Sequence, residues 1–362
     1  MREGGADGVL GTGGRASPAA KRGRATNACD GRLMSEEEIT VKTFEFVVSH
    51  PPTRGRIDAY LASRFPDYSR TFIKKLIEEG GITVDGRAVK PSHALQVGAH
   101  VAVRVPMMRG GGLEPENIAL EIIYEDDWIL VVNKPPDMVV HPAKGHLAGT
   151  LVNAAAYHCQ QLSGQGGPLR PGVVHRLDRD TSGVILLVKD ESVHQRLAHQ
   201  FLSRKTKKEY LAICEGRIEL DGDVVDAPIG RHARAREKMA VRHDEGKTAR
   251  TTYEVVERLG EFSVVRCFPE SGRTHQIRVH MHHIGHPIVC DSLYGVRDAI
   301  YMSDLTGAEH QPSEEPILER QALHARRLTI WHPVLKRLMC FEAKVPDDMV
   351  ALARALRAAV AQ

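Results

Sequence analysis

Apolar positions along this chain follow two different rhythms. Between residues 56 and 76 they recur at helical spacing. Ile57, Leu61 and Phe65 share one face, and Ser69 can cap a second helix that turns Phe72, Ile73 and Leu76 inward. That second helix presents Arg70, Lys74 and Lys75 on its outer side. Gly80-Gly81 ends it, and Ile82-Thr-Val84 followed by Asp85-Gly86 predicts a strand entering a tight turn. Arg109-Gly-Gly-Gly-Leu-Glu-Pro115 then reads as a flexible linker. Past it the rhythm changes to short apolar runs at 129–132, 184–188, 210–214, 253–256 and 264–268. Helical patterns at 149–161 and 192–202 lie among these strands, which predicts an α+β domain. The expected division is a disordered basic tail (1–38), a small helix-rich unit (54–106), a linker (107–117), a main domain (118–346) and a C-terminal helical tail (347–362). A polar stretch at 303–319 reads as a surface insertion. Met34 is an alternative start, which would place the Gly/Ala/Arg-rich residues before it outside the protein.

The net charge of +3 says less than its distribution, because residues 1–34 hold six Lys/Arg against three acids. A nearly neutral remainder with local basic clusters argues against a protein that coats nucleic acid indiscriminately. No run approaches the ~18 apolar residues of a membrane span. The N-terminus lacks the apolar core of a secretory signal. Six scattered cysteines (29, 159, 214, 267, 290 and 340) form no CxxC pair, which predicts reduced thiols in a cytoplasmic protein.

The chemistry concentrates just ahead of the run at 184–188. His175, Arg176, Asp178, Arg179 and Asp180 form a compact polar cluster held at the mouth of a buried strand. A carboxylate fixed there can act as nucleophile or base, and adjacent arginines can tune it or grip phosphate. Arg176-Leu177-Asp178 with Thr181-Ser182-Gly183 resembles the catalytic motif of the RluA-type RNA pseudouridine synthases, which isomerise uridine within RNA. Further blocks follow in the family's order. They are 124–135, the segment 207–216 centred on Tyr210, Ser271-Gly-Arg-Thr-His-Gln-Ile-Arg-Val-His280, and Ala322-Leu-His-Ala325 with His332-Pro333. Residues 54–106 resemble the S4-like RNA-binding domain. The resemblance implies a mixed or antiparallel sheet in the catalytic domain behind a small S4-like domain.

It also implies roles, residue by residue. Asp178 is the catalytic carboxylate, Arg278 pairs with it, and Tyr210 stacks on the target base. Arg176 fills the place the base vacates when it is flipped out, and Ile277 walls the pocket. Asp180 competes with Asp178 on sequence alone, but a loop-capping role suits it better. Isomerisation oxidises nothing and imports no group, so neither cofactor nor metal is expected. The run His280-Met-His-His-Ile-Gly-His286 with Cys290 invites a metal reading, yet it lacks the spacing of a catalytic site.

RNA phosphates are expected to meet Arg70, Lys74 and Lys75, and two further basic stretches. One runs from Arg204 through Lys205 and Lys207 to Lys208, and the other spans 231–250 with Arg231, Arg236 and Lys238. Gly230-Arg-His232 and 236–241 resemble family members acting on large ribosomal RNA. The expected partner is therefore large-subunit ribosomal RNA, bound by a monomer. One departure stands out: Cys290 occupies a position where the family usually has Gly, and it would be costly if the backbone there has positive φ. Two other classes remain in view. One is a ribosome-assembly factor that binds RNA without catalysis. The other is a glycoside hydrolase, which would need a second acid across the scissile bond.

Overall fold

A computed structural model describes residues 39–49, 56–65, 70–108, 113–142, 148–159, 161–167, 169–235 and 237–361, with the side chains of 39–42, 71, 72, 75 and 105–108 left aside. The 1–38 segment, Ser69, the side chains of Phe72 and Lys75, and Arg236 lie outside the described residues.

The first unit contains β1 (Ile39–Val47), α1 (Ile57–Arg64), α2 (Arg70–Glu78), β2 (Ile82–Val84), β3 (Arg87–Ala88) and β4 (His100–Met108). Its antiparallel sheet runs β1-β4-β2-β3. Ile57 and Leu61 of α1 and Ile73 and Leu76 of α2 are buried with Ile82, Val84, Val101 and Val103 of the sheet. Each such side chain contributes about 1.5–3 kcal/mol. Asp85 and Gly86 both have positive φ (49° and 73°), which suits a hairpin turn of the right twist. β1 starts before residue 54, where the sequence pattern opens the unit, and pairs along its whole length with β4. Its alternation is hard to see because the apolar phase slips at Thr43, between Val41 and Phe44.

The second unit is built on a nine-stranded mixed sheet. Its strands are β5 (Glu121–Glu125), β6 (Ile129–Lys134), β7 (Ser182–Val188), β8 (Lys207–Glu215), β9 (Gly222–Asp226), β12 (Arg250–Leu259), β13 (Phe262–Pro269), β14 (Leu323–His332) and β15 (Arg337–Glu342). β10 (Ile229–Arg231) and β11 (Met239–Val241) form a separate hairpin. The helices are α3 (Leu151–His158), α4 (Glu191–Leu202), α5 (Gln276–His283), α6 (Met302–Thr306) and α7 (Asp347–Val360).

Strands β6 and β7 are covered on both faces. Leu130, Val132, Ile185 and Leu187 pack on α3, while Ile129, Val131, Val184 and Leu186 pack with Val193 and Leu197 of α4. That two-sided burial is why their sequence reads as an unbroken apolar run. Helix α5 (Ile277, Met281) and α7 (Met349, Leu352, Leu356) contribute to one larger core with β8 and β13, so the segment expected as a tail is packed at its inner face. The 303–319 stretch is tied down at its base, where Ile300 and Leu318 bridge and Leu318 is buried.

The order β7-β14-β8 positions the site. The start of β14 runs between the other two strands, with Ala325 opposite Gly183 on one side and Tyr210 on the other. The approach is so close that a Cβ on Gly183 would collide with the Ala325 carbonyl, and φ there is 117°. This strand is the Ala322–Ala325 block of the sequence. Its irregular register between Ala325 and Arg327, and the adjacent Arg326 and Arg327, hide it from period-2 reading.

Candidate active site

Four sequence blocks meet in one pocket, lined by Arg176, Asp178, Tyr210, Ile277, Arg278, the 271–276 loop and Leu323. Asp178 sits in the loop before β7, where a turn closes as Thr181 N–H donates to the Asp178 carbonyl (3.2 Å). Its carboxylate is one-sixth exposed, with a side-chain accessibility of 17%. From α5, Arg278 donates to it through Nη1 at 3.1 Å.

Arg278 is itself buried and held from behind. Its Nε and Nη2 make two bonds to Asp291, 2.6 and 2.7 Å long. Asp291 is fully enclosed, and its Oδ1 also accepts the backbone N–H groups of Leu293 and Tyr294. The Tyr294 ring lies 5.2 Å from the guanidinium carbon. Burial works against the Arg278 charge, but Asp291 and Asp178 more than offset it and raise its pKa. One face of a permanently charged guanidinium is thus fixed on Asp291, and the remaining nitrogen is aimed at Asp178.

Tyr210 projects from β8 between the two cores that flank the site. Burial, and then the Asp178 charge, raise its phenol pKa, so it stays neutral through the physiological range. Ile277 is buried in the pocket wall, and Arg176 is exposed at the pocket's edge. The 271–276 loop is fixed by Gln276, whose side chain accepts from Ser271 Oγ and Arg273 N–H and donates to Arg250 O and Thr251 Oγ1. His275 adopts a left-handed backbone (φ 55°), a cost of about 1 kcal/mol or more for a residue with a Cβ. Its Nδ1 lies 2.9 Å from the Tyr294 hydroxyl.

Several positioning groups escaped the sequence reading. Lys134, at the end of β6, is fully buried, and its Nζ donates to the carbonyls of Pro135, Met138 and Arg179 at 2.7–2.9 Å. It clamps the loop that carries Asp178. Burial lowers its pKa to about 7, opposed by Asp180 and Asp178. Arg320 donates to Asp180 O and grips Asp348 of α7 with two bonds. Ser182 is paired with buried His324 at 3.0 Å. Asp291 carries a readable signal, as the lone acid following the apolar Ile288-Val-Cys290, where an ionised group requires a partner.

Other expectations shift in detail. Asp180 pairs with its neighbour Arg179 (3.1 Å). Arg70 and Lys74 do not simply face outward. Together with Arg56 they converge on Asp58, a buried carboxylate of α1, at 3.0, 3.8 and 3.0 Å, while remaining nearly half exposed. These arginines hold the Asp58 pKa down at about 2. Lys208 is turned inward, with Nζ on the Ser271 carbonyl (2.8 Å), and burial lowers its pKa to about 8. Arg204, Lys205 and Lys207 remain exposed ahead of and at the start of β8, and Arg231 is exposed at the end of β10. Arg242 is paired with Asp244 and Arg250 with Glu270, which removes two cations from the second basic stretch.

Within the histidine run, His280 is buried and uses both ring nitrogens on Thr251 and Ala227 O. His286 bonds Glu215 O, and Cys290 Sγ donates to Leu318 O. Cys290 does have positive φ (57°), a strain of about 1–2 kcal/mol that Gly would avoid. Among the described residues, the trio of metal-ligand type that comes together is Glu125, His158 and Cys159, outside the pocket, and its carboxylate already pairs with Lys189 and His158.

The RNA pseudouridylate synthase family profile matches residues 128–283, and the S4 domain profile matches residues 55–101. An uncharacterized RNA pseudouridine synthase of Bacillus subtilis, YlyB, is 44% identical over 313 residues, spanning 86% of this chain and 98% of that protein. The ribosomal large subunit pseudouridine synthase D of Pseudomonas aeruginosa is 41% identical over 302 residues, spanning 83% and 92%. Among solved structures, human RNA pseudouridylate synthase domain containing 4 superposes with a TM-score of 0.50 at 25% identity, over 66% of this chain and 93% of that one. Pocket, sheet and sequence agree: this chain belongs to the RluA-type RNA pseudouridine synthases, isomerases acting on RNA, and carries an S4 domain.

Proposed function

We propose that the chain converts specific uridines of large-subunit ribosomal RNA to pseudouridine, with Asp178 as the catalytic residue. The observation that carries this reading is the Asp178 carboxylate, pocket-facing and fixed by an arginine whose other nitrogens are committed to Asp291. The substrate is supported by relatives about 40% identical over more than four-fifths of the chain that are named ribosomal large subunit pseudouridine synthase D.

Isomerisation breaks the N1–C1′ bond, turns the base and joins C5 to C1′. The C5 proton leaves, and N1 gains one. The target nucleotide must first be extruded, at a cost of a few kcal/mol. Arg176, at the rim, occupies the vacated place in the helix, where a guanidinium can both stack and donate hydrogen bonds. Tyr210 and Ile277 hold the flipped uracil between ring and aliphatic wall. Asp178 meets the reacting nucleotide, either trapping the sugar at C1′ or adding to the base. Arg278 orients it through the Nη1 hydrogen bond. The neutral Tyr210 phenol does not compete as an anion, which leaves Asp178 as the carboxylate at the reacting atoms. Exposed Arg204, Lys205, Lys207 and Arg231 and half-buried Lys238, together with Arg70, Lys74 and the basic residues Lys75 and Arg236 of the sequence, contact phosphates of the surrounding RNA.

The test is to incubate wild type and Asp178→Asn with large-subunit RNA transcripts and map pseudouridine by carbodiimide labelling and primer extension. Stops at defined uridines with wild type alone are expected. Equal stops with both proteins would remove Asp178 from the chemistry, and none on this RNA with either would reject the substrate.

A further inference from the structure

A second cleft, of about 410 Å³, lies between the β10–β11 hairpin and α5. That size falls within the roughly 300–1,000 Å³ of small-molecule sites. Its surface is divided by chemistry. Half-buried Val241, with buried Val279 and Tyr294 behind it, supplies an apolar and aromatic part, and His232, Lys238 and His283 supply nitrogen donors. His232 Nδ1 accepts the backbone N–H groups of Arg234 and Ala235, so the ring's proton resides on Nε2, where it can be donated. An apolar surface for a flat ring beside cationic and N–H donors for an anion is the recognition pattern of a single unstacked nucleotide.

The cleft shares Tyr294 with the catalytic site. The Tyr294 hydroxyl accepts from Met239 N–H of the hairpin at 2.7 Å and lies 2.9 Å from His275 Nδ1 of the catalytic pocket. Its ring lies beside the Arg278 guanidinium, and its backbone N–H donates to Asp291. The residue that lines the cleft is therefore bonded to the hairpin on one side and to the Asp178 support on the other.

We infer that this cleft is a nucleotide subsite that binds one base of the substrate strand flanking the target uridine. The inference rests on the reading of the chain as an enzyme acting on a nucleotide extruded from RNA. RNA is favoured over an apolar peptide because the donors are cationic or N–H groups, with the exposed Arg231 on the same hairpin. Occupancy would press the hairpin toward α5 and steady Tyr294 beneath Arg278, so the flanking base contributes to turnover as well as affinity.

The test uses short oligoribonucleotides containing the modified site, with abasic residues placed one at a time at the positions around it. Affinity by filter binding and turnover are measured for wild type, Ala240→Trp, which fills the cleft from β11, and His283→Ala, an exposed position. In wild type, one flanking abasic position is expected to weaken binding about tenfold, the scale of a single stacked base. In Ala240→Trp that penalty falls below about twofold, and in His283→Ala it is reduced. A scan with no sensitive flanking position, or a penalty undiminished in both variants, overturns the subsite. If Ala240→Trp loses its thermal transition, His283→Ala decides. Normal turnover with a flat scan rejects the subsite and leaves the enzyme reading standing. Absence of pseudouridine with wild type on every RNA rejects the enzyme reading, while the binding scan still reports on the cleft.

Discussion

Asp58 in the S4 domain and Asp178 in the catalytic domain both meet arginines, yet the two clusters are turned inside out relative to each other. Asp58 is fully buried, and its three cations are nearly half exposed. At the candidate active site the arginine is buried, its structural partner Asp291 is enclosed, and the second carboxylate, Asp178, faces a pocket. A buried acid with outward cations anchors a helix pair and leaves a positive surface that suits a polyanion. A buried cation with an outward acid makes a carboxylate that is oriented but still able to react. Burial of one partner, rather than the residue types, separates the structural pair from the reactive one.

Breaking the outward acid should have the largest effect. Asp178→Asn is expected to lower single-turnover pseudouridine formation by about a thousandfold or more, with the thermal transition almost unchanged. Breaking the buried pair should act on the fold instead. Asp291→Asn leaves a buried guanidinium without its main partner and is expected to cost about 3–5 kcal/mol in urea unfolding. The loop clamp falls between these. Lys134→Met strips three carbonyls of their donor and is expected to cost about 1–3 kcal/mol while lowering kcat more than it raises KM.

Acid should act through two imidazoles, the partly buried His175 and the buried His324. His175 accepts Leu186 N–H and stacks on Phe201, and His324 pairs with Ser182. Burial depresses their pKa values to about 3 and about 4. Below pH ~6.5 the unfolded chain takes up protons that the folded chain refuses, so stability is full above that pH and declines toward pH 4. The expected slope is about 1.4 kcal/mol per pH unit for each imidazole, read from urea midpoints, and replacing His324 with Asn should flatten it. The smallest effect belongs to the S4 cluster. Asp58→Asn should cost about 1 kcal/mol of stability and weaken RNA binding a few-fold, with turnover of bound RNA unaltered.

The contrast also explains what the sequence could reveal. Strands at 129–132 and 184–188 are legible because two-sided burial writes an unbroken apolar run, and the helices around Leu61 and Ile73 because one face repeats. The pocket residues Asp178, Tyr210 and Arg278 are legible as motif positions, far apart in the chain but joined by β14. What stays hidden depends on distant partners. Asp58 looks like an ordinary helix-surface acid until Arg70 and Lys74 are placed above it. Lys134 looks like a surface lysine after a strand, and nothing local shows that Arg179 O will reach it. β1 and β14 are obscured by phase slips at Thr43 and between Ala325 and Arg327, where a simple alternation count fails.

The most direct measurement compares Asp178→Asn with Asp58→Asn under saturating enzyme, following tritium release from uridine labelled at C5 in the substrate RNA. Release should vanish for Asp178→Asn although RNA still binds. For Asp58→Asn it should proceed at the wild-type rate, with only the enzyme concentration needed for saturation increased. Release at an undiminished rate from Asp178→Asn would contradict the assignment of the outward carboxylate as the catalytic group.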